Sequence, residues 1–228
     1  MAPVFWRMGH SWTSQRRLAE WDHEKMEHWC EIITCPIDSG HQHSGKRLIN
    51  LNVVLQDGAV EDFVWTWYSE CLVQERTLEL LRSNGFTGFE VKPVNSRFVD
   101  SAKNPPKLWE IVLTGWAGLA RPESGIQLDG RRSCSACGHL RYTGLQNPEE
   151  LIDRSAWDGS DFFMVWPMPR YLFITERVRD AILDNHLSGV QITAISELKK
   201  TDGFSPGRLR YCMPDERARQ LGEPLGIS

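Results

Sequence analysis

The strongest constraint on how this chain folds is that part of it is written twice. Residues 73–91 align with residues 174–192 without a gap, and Glu75, Arg76, Asn84 and Gly88 recur as Glu176, Arg177, Asn185 and Gly189. In each copy apolar residues fall at helical spacing, Leu78 and Leu81 in the first, Val178 and Ile182 in the second. A β-rich run follows each one, Phe89-Glu90-Val91 and Val190-Gln191-Ile192. The Asn between helix and strand is expected to close the helix in the left-handed conformation. Each copy therefore predicts a helix that packs on a sheet and returns into it as a strand. A Glu in the first helical turn meets the positive end of the helix dipole, a simpler reading of the recurring Glu-Arg pair than catalysis.

Around these halves (73–94 and 174–195) the pattern predicts more strand than helix. Leu48–Leu55 and Phe63–Tyr68 read as strands joined by a turn at Asp57-Gly58; Leu108–Gly115 and Phe162–Trp166 read likewise. Ser14 to about His28 reads as a helix with Leu18, Trp21, Lys25 and Trp29 on one stripe, and Asn147–Trp157 as another, with Pro148 near its start. Cys30–Gly45 reads as a loop broken by Pro36, Gly40 and Gly45. No interdomain linker stands out. The fold expected is one α+β domain over residues 1–228: a Trp-rich segment (1–29), a core (30–198), and a polar tail (199–228) anchored through Leu209, Tyr211 and Met213.

The formal net charge of −4 argues against nucleic acid as the main partner, since phosphate binding usually leaves a basic excess. Carboxylate pairs such as Glu61-Asp62 and Glu149-Glu150 read as solvated. No basic-then-apolar leader and no apolar run of about 18 residues is present, so the expectation is a cytoplasmic protein without a membrane partner. There are ten tryptophans, most of them expected in the core; Trp6, Trp12 and Trp21 are candidates for exposed anchors.

Six cysteines in such a chain read as thiols and metal ligands rather than a disulfide framework, with Cys71 and Cys212 standing apart. The sharpest motif is Cys134-Ser135-Ala136-Cys137-Gly138. Two cysteines separated by two residues can turn both sulfurs toward one ion, and the glycine permits the backbone that such a turn needs. This is half of a tetrahedral zinc site. The other half is expected from Cys30, Cys35, Asp38, His41 and His43: Cys35 together with Cys30 or one of the two histidines would close a structural site with no position for water. Neither a serine-nucleophile elbow, nor a zinc-protease helix, nor a dinucleotide-binding glycine pattern occurs, so no catalytic residue is assigned.

Cys35-Pro36-Ile37, Gly40-His41 and Gly45-Lys46-Arg47, then the CxxCG, then the run from Phe163 through Trp166-Pro167-Met168-Pro169-Arg170 to Glu176-Arg177-Val178, resemble the double-CxxCG proteins. That resemblance covers about residues 30–198. It implies an immunity protein that binds and neutralises a cognate bacterial toxin, with a structural zinc. Carried over by motif, Cys35, Cys134 and Cys137 keep their metal role. The chain departs from the pattern at Asp38, which stands where a second cysteine would follow Cys35. The resemblance leaves Cys30, His41, His43 and Asp38 as candidates for the fourth ligand, and Cys30 is preferred because a thiolate keeps the site's character. Two other classes compete. A zinc-ribbon-like nucleic-acid module would bind DNA or RNA in a salt-dependent way, and a zinc hydrolase would need an open coordination position and a pocket carboxylate.

Overall fold

A computed structural model describes residues 4–11, 18–41, 43–100, 102 and 104–228. In chain order its strands are β1 (Phe5–His10), β2 (Glu20–Trp21), β3 (Cys30–Ile33), β4 (His43–Arg47), β5 (Asn52–Leu55), β6 (Phe63–Trp65) and β7 (Cys71–Gln74). They continue as β8 (Phe89–Phe98), β9 (Leu108–Leu113), β10 (Gly115–Leu119), β11 (Phe162–Trp166), β12 (Leu172–Thr175) and β13 (Val190–Ala194). The α-helices are α1 (Glu75–Ser83), α2 (Glu176–Asp184), α3 (Leu209–Cys212) and α4 (Asp215–Gly222). A six-stranded sheet has the order β2-β5-β8-β9-β7-β6, a five-stranded sheet the order β10-β11-β12-β1-β13, and β3 and β4 form a separate ribbon. The expected α+β class is the one observed.

The sequence repeat becomes one supersecondary unit used twice. In the first half, β7–α1–β8 leaves a gap that β9 fills, antiparallel to both of its neighbours. In the second, β12–α2–β13 leaves the same gap and β1 fills it. Each unit is led by a hairpin partner, β6 on β7 and β11 on β12. The repeated residues supply the outer strands and the helix, while the middle strand comes from elsewhere in the chain.

The recurring residues hold the halves to each other. Asp62, just before β6, accepts hydrogen bonds from the Ser188 backbone (2.9 Å) and hydroxyl (2.7 Å) of the second copy, and pairs with Arg76 of its own half. Asp161, just before β11, accepts from Thr87 of the first copy (3.1 and 3.3 Å) and pairs with Arg177 at 3.0 Å. Both aspartates are buried, so Asp62 is not the solvated carboxylate its sequence context suggested. Burial raises the pKa of Asp62, but the bonds from Ser188 and Arg76 outweigh it and hold the carboxyl below its ordinary range. Gly88 and Gly189 sit beside these contacts with φ of 90° and 81°. A Cβ there would lie 2.0 Å from the Phe162 carbonyl oxygen in one half and 2.0 Å from that of Phe63 in the other. This explains why only glycine recurs at that place.

One core lies between the sheets and under both helices: Phe63, Val73, Leu78 and Leu81 meet Phe162, Ile174, Val178 and Ile182. Two smaller clusters cover the outer faces, one around Phe163, Val165 and Phe173, the other around Val53, Val94 and Leu108. β11 is buried on both faces, so its sequence is continuously apolar instead of alternating. The tail contributes Leu209, Met213, Ala218 and Ile227 to the main core.

Several local expectations give way to tertiary context. Of the helix proposed for 14–28, residues 14–17 lie outside the described residues, and the rest is β2 followed by a 3-10 turn at His23–Met26. The Asn147–Trp157 helix shortens to a 3-10 turn at Pro148–Glu150. The loop expected over Cys30–Gly45 contains the β3–β4 ribbon. Asn84 and Asn185 have negative φ, and their side-chain amides donate to carbonyls one turn back, Leu80 (2.9 Å) and Ala181 (2.8 Å). The left-handed residue is the next one, Gly85 (φ 66°) and His186 (φ 50°). Trp6 and Trp21 are buried rather than exposed, Trp12 lies outside the described residues, and the most exposed indole among the described residues is that of Trp67, at 64%. No helix among the described residues is long and apolar enough to cross a membrane.

Candidate metal centre

The tip of the β3–β4 ribbon and the CxxCG turn meet at one point. On the ribbon side, Cys35 lies two residues beyond β3, and the chain then turns about Asp38, whose side chain accepts from the Gly40 backbone (2.9 Å) and whose carbonyl accepts from the His41 N–H (3.0 Å). This turn is short because Asp38 satisfies it locally. On the other side, Cys134 and His139 close a tight loop: the Cys134 N–H donates to the His139 carbonyl and the Gly138 N–H to the Cys134 carbonyl, both at 2.8 Å. Gly138 takes a φ of 71°, and a Cβ there would collide with the Arg208 guanidinium.

These two turns bring together Cys35, His41, Cys134 and Cys137, whose ligand atoms all lie within 4.8 Å of one another. The cluster could hold a metal ion. All the cysteines are free thiols. The sulfurs of Cys35 and Cys134 stand 3.7 Å apart. Two corners of a tetrahedron with zinc–sulfur bonds of about 2.3 Å are separated by about 3.8 Å, so the spacing suits a shared ion. His41 supplies a second test. Its Nε2 lies 3.3 Å from Asp38 Oδ2, whereas its Nδ1 is buried without a hydrogen-bond partner among the described residues. A metal at the cluster would satisfy that orphaned nitrogen, and Asp38 would orient the ring from behind, the usual arrangement for a ligating imidazole.

The electrostatics favour a thiolate. Cys134 is lowered to about 6, chiefly by the Cys137 backbone N–H and next by His41. Cys137 moves upward, through burial first and then the neighbouring thiols. The opposite shifts of these two neighbouring thiols are those of groups that titrate as a pair.

The remaining candidates fall into place around this set. Cys30 is not part of it. It lies in β3 opposite Arg47, at the end of the ribbon away from the turn. The thiol preferred on chemical type lies outside the cluster, in which His41 stands as the fourth donor. Asp38 buttresses His41. His43 Nε2 donates to the Cys137 carbonyl at 3.2 Å and so helps fix the CxxCG turn. His139, for which the sequence suggested no role, stacks parallel on His41 at 4.6 Å, with its Nε2 3.3 Å from the Ser205 hydroxyl. Cys71 and Cys212 stay in apolar surroundings, and burial pushes the Cys212 thiol up to about 12.

The ribbon that carries half of this site is joined to the six-stranded sheet by a buried ion pair between Arg47 on β4 and Glu110 on β9. Three thiols and one imidazole form a closed donor set of the structural type, in which the ion ties two distant stretches of chain together. No family model matches the chain, and no curated protein matches it in sequence.

Proposed function

We propose that this chain is a toxin-neutralising immunity protein in which zinc acts as a structural staple and no reaction is catalysed. One observation carries the staple: the donor set of Cys35, His41, Cys134 and Cys137 is complete from protein alone, with the nearby carboxylate of Asp38 turned onto His41. A hydrolytic zinc needs a position for water, and four protein ligands leave none. The toxin-binding half of the reading is supported by the motif resemblance, which spans both metal-bearing segments and the Trp166–Val178 stretch. Neutralisation would then be by occlusion, through an interface of ordinary size anchored by a few large side chains.

The test is co-expression with each candidate toxin encoded beside this gene, followed by native mass spectrometry of the purified chain. Restored growth together with a stoichiometric complex carrying one zinc per chain is the expected result. Growth arrest despite soluble, metal-loaded chain would overturn the neutralising role. A complex that forms without metal would overturn the staple alone.

A further inference from the structure

The seam between the two halves holds a groove of about 460 Å³ that the metal centre does not use. Its floor is one face of the five-stranded sheet, where Arg7 stands opposite Thr193 and Gly9 opposite Gln191. Its walls are the β6–β7 turn, which carries Trp67, and the segments that hold Arg170 and Lys199. Three features of this groove favour an anionic ligand with an aromatic part.

First, the charge is unbalanced. Arg7, Arg170 and Lys199 line the groove against a single carboxylate, Glu197, in a chain whose net charge is −4. None of the three cations makes an ion pair among the described residues, although most other arginines do. Second, Arg7 is held in place but incompletely used. Its guanidinium packs 4.2 Å over the Tyr171 ring, while its Nε is buried with no hydrogen-bond partner among the described residues. An unpaired donor of that kind costs stability unless a ligand or water meets it. Third, the Trp67 indole at the rim is 64% exposed, an unusual placement for the largest apolar side chain.

We propose that this groove binds a nucleoside phosphate, free or as the end of a nucleic-acid strand. The phosphate would lie among the three cations, the base against the Trp67 indole, and the sugar hydroxyls against the polar floor of Gln191 and Thr193. The volume falls in the range of small-molecule pockets, about 300–1,000 Å³. A protein partner would instead need roughly 800 Å² of continuous contact. Base stacking on an aromatic ring is tolerant of sequence, and arginine suits phosphate through its planar fork. The overall acidity of the chain remains an argument against long nucleic acid, and the groove is a local exception to it. The inference does not rest on toxin binding.

The experiment is isothermal titration of the full chain with AMP, ATP, inorganic phosphate and a 5′-phosphorylated twelve-nucleotide dT strand, beside Trp67→Ala and Lys199→Glu. Both substituted side chains are exposed, so melting curves should match the parent. AMP and ATP are expected to bind at least tenfold more tightly than phosphate, and each variant should weaken AMP by roughly tenfold. A strand that binds far more tightly than AMP, with the same loss in both variants, would support the site and assign its ligand to strand ends. Absence of nucleotide and strand binding at millimolar concentration overturns the proposal. So does phosphate that binds as well as AMP, or variants that leave AMP binding unchanged.

Discussion

Removing one metal ligand should cost this fold far more than the local contacts of a surface thiol would suggest. Cys35 and Cys134 are 99 residues apart in sequence and 3.7 Å apart in space. An ion that bridges them constrains the unfolded chain as a covalent cross-link of the same span would. For a loop of about 100 residues that constraint is worth about 4.7 kcal/mol. In a chain of this size each kcal/mol moves the melting temperature by about 2–4 °C. Cys134→Ser, or the parent stripped of metal under reducing conditions, should therefore melt on the order of 10–20 °C lower than the loaded protein. The assay is thermal denaturation followed by circular dichroism, with metal content measured on the same samples. Two further variants test the ligand set: His41→Ala should lose the ion, whereas Cys30→Ser should keep one per chain because its side chain lies at the far end of the ribbon. If Cys134→Ser melts within about 2 °C of the loaded parent, the staple argument fails. If Cys30→Ser loses the metal while His41→Ala keeps it, the ligand assignment fails.

The paired aspartates give a sharper contrast. Asp161→Ala strips acceptors from Thr87, Thr175 and Arg177 in a buried place and should cost about 3 kcal/mol in urea denaturation. Arg177→Ala should cost less than about 1 kcal/mol, because that side chain is 63% exposed; equal costs would mean that the ion pair, not the buried acceptor, fastens the halves. His186 holds a left-handed conformation that its counterpart Gly85 adopts freely, so His186→Gly should raise stability by about 0.5–1 kcal/mol; a loss on the same denaturation assay would contradict the strain. Asp62 has its folded pKa below the ordinary value, so its contribution is complete above about pH 4 and fades as pH falls through the depressed folded value. Asp62→Asn should flatten that acid limb of the stability profile, and an unchanged slope below pH 4 would refute it.

The sequence made the two halves and the CxxCG turn legible because both are local: a repeat aligned without gaps and a motif within five residues. What it concealed depended on partners far along the chain. Asp62 and Asp161 occupy equivalent places before β6 and β11, but they lie outside the ungapped alignment, and Asp62 sits beside Glu61 in a stretch that looks solvated. The signal that could have found them is an Asp-Phe pair opening an aromatic strand in each half, Asp62-Phe63 and Asp161-Phe162. The ribbon was hidden by Pro36 and Gly40, which mark its turn and made the whole stretch resemble a loop. Cys30 was preferred to His41 on chemical type alone. Only the ribbon's register shows that a residue in the turn reaches the site and a residue in the strand does not. The 3-10 turns where helices were expected reflect segments too short to sustain a helix once their apolar residues were drawn to different surfaces.

The position of β1 also governs the order in which the chain can assemble. Phe5 pairs with Thr175, and the strand lies between β12 and β13. This strand is thus paired with two strands that emerge from the ribosome roughly 170 residues after it, on the order of ten to thirty seconds later at cellular rates of synthesis. Through that interval Phe5, Trp6 and Met8, all buried in the finished protein, lack the strands that flank them, and Trp6 and Met8 can meet only the first half's share of the main core, Phe63 and Trp65 among it. The half built from β6, β7, α1, β8 and β9 is contiguous and can form first. The other half must wait for β12 and β13 before both edges of β1 are paired.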